Sequence, residues 1–443
     1  MPVDMVRDAA VDVLLRVFER GVFLDVSLDR TLRRKDISDR GRRFLTHLVY
    51  GTVRHRVLCD YILQPLLEQT LDKLPMPIHV ILRMGVYQAL FLSQVTFPAM
   101  VHTSVDLAKK RGHAGTSRLV NAVLKKVPQT LDDVTFPSRD SHPVDYMRIR
   151  YSMPRWIVDA WFKEFGLEGA EAMCEASNEH APTTLRINTV RTSVEAAQER
   201  LLKTGYLVEK RTPIPEELTL IEGTPPARSK LFHEGLFIIQ DPASMLPPHL
   251  LEPKAGDRVL DMSAAPGGKT THMAQLSGNG AWIVAMDVSA QKLELVSENL
   301  ERLGLSGVHC VAGKGERPPF TSGFNRVLVD APCTGLGTLR RHPDMKWRLK
   351  PSDPEELAAI QLRLLRSALA LCENGGLVVY SVCTLSKAET VGVVDAVLED
   401  GGVTPDEGPA WLDQWKIRPG MYRILPQKGG LDGFFLMRLR KGS

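Results

Sequence analysis

The chain has 443 residues, 44% of them hydrophobic and 24% charged, which is globular composition and excludes a disordered or collagen-like chain. At about 150 residues per domain, that length predicts two or three domains, each able to bury its own core. The net charge of +4 is unevenly spread: residues 1–130 carry 20 Lys and Arg against 12 Asp and Glu, leaving −4 for the rest, so an anionic partner is expected to meet the front of the chain.

Residues 1–128 read as all-α. Val11, Leu14, Leu15 and Phe18 follow the i, i+3, i+4, i+7 spacing of one helix face, and Gly21 stops that helix. Further apolar-periodic segments cover about 42–68, 77–93, 99–111 and 115–126, broken by Pro75, Pro77, Pro98 and Gly112. The polar stretch 129–150, with Pro137 and Pro143, reads as a linker. Residues 151–235 read as a small α+β module, with strands at Thr183–Asn188 and near Tyr206–Glu209 around a helix at Val194–Lys203. From residue 236 to 443 the pattern alternates. Short β-rich runs at Arg258–Met262, Trp282–Asp287, Arg326–Asp330 and Gly376–Val382 are separated by helical stretches at 268–276, 290–303 and 354–372. That alternation predicts an α/β domain with a parallel, helix-covered sheet. No apolar run is long enough for a membrane span, and the first 20 residues lack the uncharged core of a signal peptide, so a cytoplasmic protein with no membrane partner is expected.

The first strand of the α/β part runs into Asp261-Met262-Ser263-Ala264-Ala265-Pro266-Gly267-Gly268-Lys269. A strand that ends in small residues and opens a helix presents backbone N–H groups at the crevice above the sheet. The loop lacks the Gly-x-Gly-x-x-Gly of a dinucleotide site, and Ser263 stands where a Walker loop needs Gly. It suits a ligand that packs on backbone and brings a carboxylate, which Lys269 and the helix N-terminus could meet. Asp287 closes the next strand, where an acid can accept from both hydroxyls of a ribose or cap the following helix.

Two of the six scattered cysteines end strands: Cys333 in Asp330-Ala331-Pro332-Cys333 and Cys383 in Tyr380-Ser381-Val382-Cys383. No pair has the spacing of a zinc knuckle or a redox couple, so no metal is expected. Strand C-terminal ends of a doubly wound sheet line one crevice, so both thiols are expected at the cofactor site. Carbon 5 of cytosine is a poor nucleophile, and a thiolate added at carbon 6 makes it able to attack a methylsulfonium. A base must then remove the carbon 5 proton, and the second cysteine could assist elimination. Asp330 could hydrogen-bond the cytosine or touch the cofactor. The run Arg340–Arg348, five of whose nine residues are Arg, Lys or His and which includes Trp347, is expected on the crevice rim, holding phosphates and stacking a base.

These residues resemble the RNA cytosine-carbon-5 methyltransferases, and among them the bacterial Sun/Fmu type that modifies small-subunit ribosomal RNA. Ser263–Lys269 is similar to the family's cofactor loop and Asp287 to its ribose-binding acid. Asp330–Cys333 resembles the motif with the helper cysteine, and Cys383 stands where the family carries its nucleophile. Phe237–Met245 looks like the segment opening the catalytic domain, and Asp432-Gly433-Phe434-Phe435 like its closing strand. In the front, Leu48–Arg54, Ile81–Gln88 and Leu119–Leu124 resemble the NusB-like RNA-binding domain fused to this subgroup. The resemblance implies a Rossmann-like domain, S-adenosyl-L-methionine as cofactor, small-subunit ribosomal RNA as partner and a monomer. Three positions depart from the pattern: Ser263 for Cys, Val382 for the Thr before the nucleophile, and Lys314 about where an Asp would meet the adenine, with Glu316 nearby. The same chemistry on transfer RNA or large-subunit RNA is the alternative among enzymes, and a non-catalytic RNA-binding assembly factor is the alternative outside them.

Overall fold

A computed structural model describes residues 4–427 and 430–442. The chain forms two compact units. One runs to Glu179 and includes a returning segment, Leu339–Leu349; the other comprises His180–Thr338 and Lys350 onward.

The first unit is helical. Its helices are Met5–Phe18, Leu24–Arg34, Asp39–Arg54, Arg56–Leu63, Met76–Phe91, Phe97–Arg111, Ala114–Asp133, Pro143–Arg150 and Arg155–Ala176. Asp4 caps the first by accepting from the backbone N–H groups of Val6 and Arg7, and Val11 and Leu14 are fully buried, as their spacing requires. Met76–Phe91 is the central helix: every residue from Ile78 to Gln88 is buried, so it has no solvated face. Gly51 and Gly85 are small because neighbouring side chains press on the helices there. A Cβ on Gly51 would fall inside the Tyr87 ring, and one on Gly85 would lie 2.7 Å from Leu124. Leu24–Arg34 is a helix that apolar periodicity did not reveal, since only Leu24, Ser27, Leu28 and Thr31 face inward. Residues 143–150, polar enough to read as linker, are helical because Pro143 starts a turn that buries Met147 and Ile149. Residues 155–176, read from sequence as part of the small module, form the helix Arg155–Ala176, whose contacts cluster with the first unit.

In the second unit, β1 (Thr184–Ile187), β2 (Leu207–Glu209), β3 (Glu217–Glu222) and β4 (Phe237–Ile239) form a small antiparallel sheet in the order β2-β3-β1-β4. Phe237, in the segment Phe237–Met245, is a strand residue of this small sheet: it pairs with Ile187 and is buried in one cluster with Leu185 and Leu201.

The large sheet contains β5 (Arg258–Asp261), β6 (Trp282–Asp287), β7 (Val308–Ala312), β8 (Phe324–Asp330), β9 (Cys372–Val382), β10 (Val403–Pro405), β11 (Lys416–Arg418), β12 (Met421–Ile424) and β13 (Phe434–Lys441). Its order is β11-β12-β13-β9-β8-β5-β6-β7, with β10 beside β13. The five strands β9-β8-β5-β6-β7 are parallel, while β13 and β12 add an antiparallel edge. Residues alternate between two buried faces: Val259, Ile283, Leu328 and Val379 pack on one, Leu260, Val284, Val329 and Tyr380 on the other. After β5 the chain winds outward through β6 and β7, then returns to the other side of β5 as β8 and β9. The reversal leaves a crevice outside the C-terminal ends of β5 and β8.

Candidate active site

Register builds this site. Asp330, the last residue of β8, lies opposite Ser381 of β9. Cys333 stands three residues past the first and Cys383 two past the second, so both thiols emerge at the same sheet edge. Their Sγ atoms are 3.3 Å apart and both are partly exposed. Neighbouring contacts hold the two loops in place. Gly337 N donates to Cys383 O at 3.0 Å, and Gly433 N donates to Gly337 O at 2.8 Å. Gly337 and Gly433 pass so closely that a Cβ on Gly337 would lie 2.0 Å from Gly433 O. That close approach explains the glycine in Asp432–Phe435.

The strongest tie between the cysteine loops is one that sequence reasoning missed, the buried carboxylate of Glu389. Its Oε1 accepts from Thr334 N at 2.8 Å and from Gln361 Nε2 at 3.1 Å. Its Oε2 accepts from Thr334 Oγ1 at 2.6 Å and Thr384 Oγ1 at 3.2 Å. Thr334 follows Cys333 and Thr384 follows Cys383, so one side chain ties the two cysteine-bearing turns together. Gln361 Nε2 also donates to Pro332 O at 2.9 Å. Burial pushes the Glu389 carboxyl above its ordinary range. Val382, where a hydroxyl was expected, is fully buried in the sheet, and Thr384 on the other side of Cys383 supplies a hydroxyl to this network.

Lys269 and Asp330 form an ion pair at 2.7 Å, and Ser381 Oγ donates to the other Asp330 oxygen at 2.7 Å. Burial alone would lower the Lys269 ammonium, but Asp330, with lesser help from Cys383 and Asp261, holds it above its usual range. Its Nζ also lies 5.5 Å from the centre of the Phe434 ring. Lys269 therefore sits between the cofactor loop and the cysteines, with its positive charge facing Cys383. The Cys333 thiol is raised well above its ordinary range by its hydrogen bond to Cys383, by burial and by the charge of Glu389.

The Ser263–Lys269 loop is anchored from below. Ala264 N donates to Met286 O at 2.9 Å, and Thr270 Oγ1 to Asp261 Oδ2 at 2.7 Å. Burial pushes the Asp261 carboxyl up to about 6, against that hydrogen bond, and the Asp330 charge adds to the rise. Ala265–Pro266 is a cis peptide, and Gly267, at φ 101°, takes the left-handed turn into the helix Gly268–Leu276. The first N–H groups of that helix have no acceptor within it. Arg186 of β1, also missed from the sequence, is completely buried beneath the loop. It donates to Gly268 O and Gln240 Oε1, and to Thr271 Oγ1 at 2.8 Å. Asp287 accepts from Ala265 N at 3.3 Å and from Ser289 N at 3.0 Å, so one carboxylate braces the loop and the next helix. Gly313 N donates to Asp287 O at 3.0 Å, which puts Lys314 beside that strand end; Glu316 is engaged by Arg363 at 2.5 Å.

The run Arg340–Arg348, expected on the crevice rim, clusters with the helical unit, where several of its side chains hold backbone. Arg348 donates to Gly21 O and Val22 O, Trp347 Nε1 to Val53 O at 2.8 Å, and Arg54 to Arg340 O at 2.6 Å. Asp344 accepts from Leu24 N at 3.1 Å, and Lys346 is 1% exposed. Carbonyls and buried rings that a linear pattern does not display are the reason: they turn a charge run into an anchor.

Among described residues, no helix is long and apolar enough to cross a membrane. Residues 248–440 match the family described as 16S rRNA methyltransferase RsmB/F, residues 5–129 the NusB family, and residues 153–226 the RsmF/B-like ferredoxin-like domain. The chain is 34% identical to a probable ribosomal RNA small subunit methyltransferase B of Bacillus subtilis, covering 98% of each chain. It is 36% identical to the ribosomal RNA small subunit methyltransferase B of Thermus thermophilus, covering 98% of this chain and 97% of that one. The crystal structure of PH0851 covers all of both chains with a TM-score of 0.82 at 25% identity. NSun6 from Pyrococcus horikoshii, solved with SFG, covers 66% of this chain and 98% of that one with a TM-score of 0.60 at 25% identity.

Proposed function

Because the chain belongs to the RsmB/F family of S-adenosylmethionine-dependent methyltransferases of small-subunit ribosomal RNA, we propose that it methylates carbon 5 of a cytosine through a covalent bond from Cys383 to carbon 6. The observation that carries this reading is the pair of sulfurs 3.3 Å apart at the end of β8 and β9, beside a lysine held in place by Asp330.

The donors of the crevice fit S-adenosylmethionine. Asp287 uses one lone pair of each oxygen on backbone N–H groups, which leaves others for ribose hydroxyls. The open N–H groups of the helix Gly268–Leu276 suit a carboxylate. Ser263, Ala264, Ala265, Pro266, Gly267, Gly268 and Lys269 would line the cofactor, with Asp287 at its ribose. When bound, it supplies the methyl group.

The side chains do the rest. Lys269 stabilises a thiolate at Cys383, which adds to carbon 6 and makes carbon 5 nucleophilic. Asp330, oriented by Lys269 and Ser381, is near enough to the cysteines to polarise the ring through its nitrogen or amino group. After methylation Cys333, having passed its own proton to solvent, takes the carbon 5 proton as the base; the electron pair of that C–H bond forms the carbon 5–carbon 6 double bond as the Cys383–carbon 6 bond breaks and Cys383 leaves as a thiolate. The surroundings that raise the Cys333 thiol make its thiolate a strong base for this step.

Bisulfite sequencing of total RNA from cells with and without this protein tests the reading. One cytosine of the small-subunit RNA should lose its protection from conversion when the protein is absent. An unchanged bisulfite map, with methyl label instead found on another base or on ribose, overturns it.

A further inference from the structure

Away from the cysteines, three side chains with metal-ligating atoms converge inside the second unit. Glu216 sits in the turn leading into β3, His249 in the helix Leu246–Leu251, and His272 in the helix Gly268–Leu276. Their nearest ligating atoms all lie within 4.8 Å of one another. His249 Nε2 is 2.9 Å from Glu216 Oε1, and His272 Nε2 meets the same oxygen as an ion-pair contact. His272 is fully buried, and neither of its ring nitrogens makes a well-formed hydrogen bond. A buried imidazole with that deficit is costly unless something satisfies it. Trp411 packs edge-on against His249, with ring centres 5.2 Å apart, and closes the outer side.

We propose that Glu216, His249 and His272 form a binding site for a divalent transition metal, zinc being the ion their chemistry suits best. Two imidazoles and one carboxylate are a common zinc set; bonds of about 2.0–2.2 Å to a shared ion would hold the ligand atoms roughly 3.3–3.5 Å apart, so Glu216 would have to draw back slightly from both imidazoles to admit it. The nearby Arg186 is already engaged by Gly268 O, Gln240 and Thr271. An ion here would stitch the small antiparallel sheet to the helix that opens with the cofactor loop, so its role is to stiffen that loop's support. The sequence hides the site because the three ligands come from three elements with no short spacing between them.

The test uses full-length protein with any affinity tag removed, stripped with a chelator and titrated with zinc against a chromophoric competitor. The expected result is one zinc per chain. His249→Ala, at the rim of the cluster, should weaken binding more than the 10- to 100-fold that loss of even an outer-shell partner typically costs, with an unchanged circular dichroism spectrum. Glu216→Gln, which keeps the side chain's shape, should do the same if His249→Ala misfolds. Cobalt bound in place of zinc should show no sulfur-to-metal charge-transfer band. Absence of stoichiometric zinc would mean that Glu216 only accepts hydrogen bonds from two neutral imidazoles, and the site is lost as a proposal. Equal zinc binding by the wild type and these variants, or a cobalt–thiolate band that vanishes in a Cys333→Ala, Cys383→Ala protein, would put the ion at the cysteine pair and overturn it as well.

Discussion

The helical unit and the sheet unit use charged residues in opposite ways. In the helical unit, several cations that look available in sequence are consumed by structure. Arg83 and His79 clamp Asp60, and Arg111 binds Asp8 and Asp12. Lys346, at the tip of an apparent basic loop, is buried with burial itself driving its ammonium well below the ordinary range. In the sheet unit, a few charged groups cluster at strand ends, Lys269, Asp330 and Asp287 around one crevice and Glu389 buried behind the cysteine turns. The difference follows from geometry. Parallel strands deliver every C-terminal loop to one edge, whereas helices packed around a central helix deliver side chains in all directions. Polar residues in the first architecture meet one another; in the second, each finds whatever carbonyl or carboxylate is nearest.

The largest effect that would sharpen this contrast lies at the strand ends. Cys383→Ala should reduce methyl transfer from labelled S-adenosylmethionine by about 10⁴-fold or more, as loss of a covalent nucleophile does, while RNA binding persists. Cys333→Ala should instead trap a protein–RNA adduct on a denaturing gel. If the adduct forms with Cys383→Ala rather than Cys333→Ala, the two roles are exchanged.

A smaller effect is expected one layer back. Glu389→Gln keeps the shape of the side chain but weakens its grip on Thr334 and Thr384. The cysteines should shift relative to each other, and a misplacement on the order of 1 Å can cost about 100-fold in turnover. The apparent KM for RNA should stay the same. A large rise in KM with unchanged turnover would show that Glu389 is not a positioning residue for the cysteines.

The smallest expected effect belongs to the helical unit and concerns stability rather than chemistry. His55 stacks on Phe91, ring centres 4.2 Å apart, and burial, with Lys346 and Arg54 nearby, pushes its imidazole down to about 3. A histidine whose folded value lies below its unfolded value of about 6.5 binds more protons when unfolded, so its contribution is full above that pH and is lost as pH falls through the window down to 3. Between pH 7 and pH 5 that is about 2 kcal/mol. Denaturant melts should show the loss in the wild type and a flatter profile in His55→Phe, which preserves the stack. An equally steep profile in the variant would place the acid sensitivity elsewhere.

Much of the active site was legible because it is built from contiguous motifs at strand ends. Trp282–Asp287, Gly268–Leu276 and Ala290–Leu303 stand within a residue or so of where apolar periodicity put them. Cys333 and Cys383 converge because the register of two parallel strands leaves them no other place. Glu389, Arg186 and the Glu216 cluster were not legible. Apart from Thr384, five positions before Glu389, their partners lie 28 to 85 positions away, and local sequence carries no trace of such partners. The short antiparallel strands β10 to β12 were missed for a related reason: three or four residues are too few to show a period, and pairing rather than propensity makes them strands, β10 and β12 against β13 and β11 against β12.

The amino-acid sequence by itself determined that an all-helical part precedes an α/β part, where the cofactor loop turns, and which two thiols end their strands, because these depend on periodicity and turn chemistry over a few residues. Tertiary structure alone decided that Arg340–Arg348 anchors into the helical unit, that Phe237–Ile239 joins the small sheet, and that a buried glutamate couples the two cysteine turns. Those outcomes depend on which backbone carbonyls, rings and carboxylates distant segments bring within about 3 Å, a distance at which hydrogen bonding overrides what a residue's charge suggests on its own.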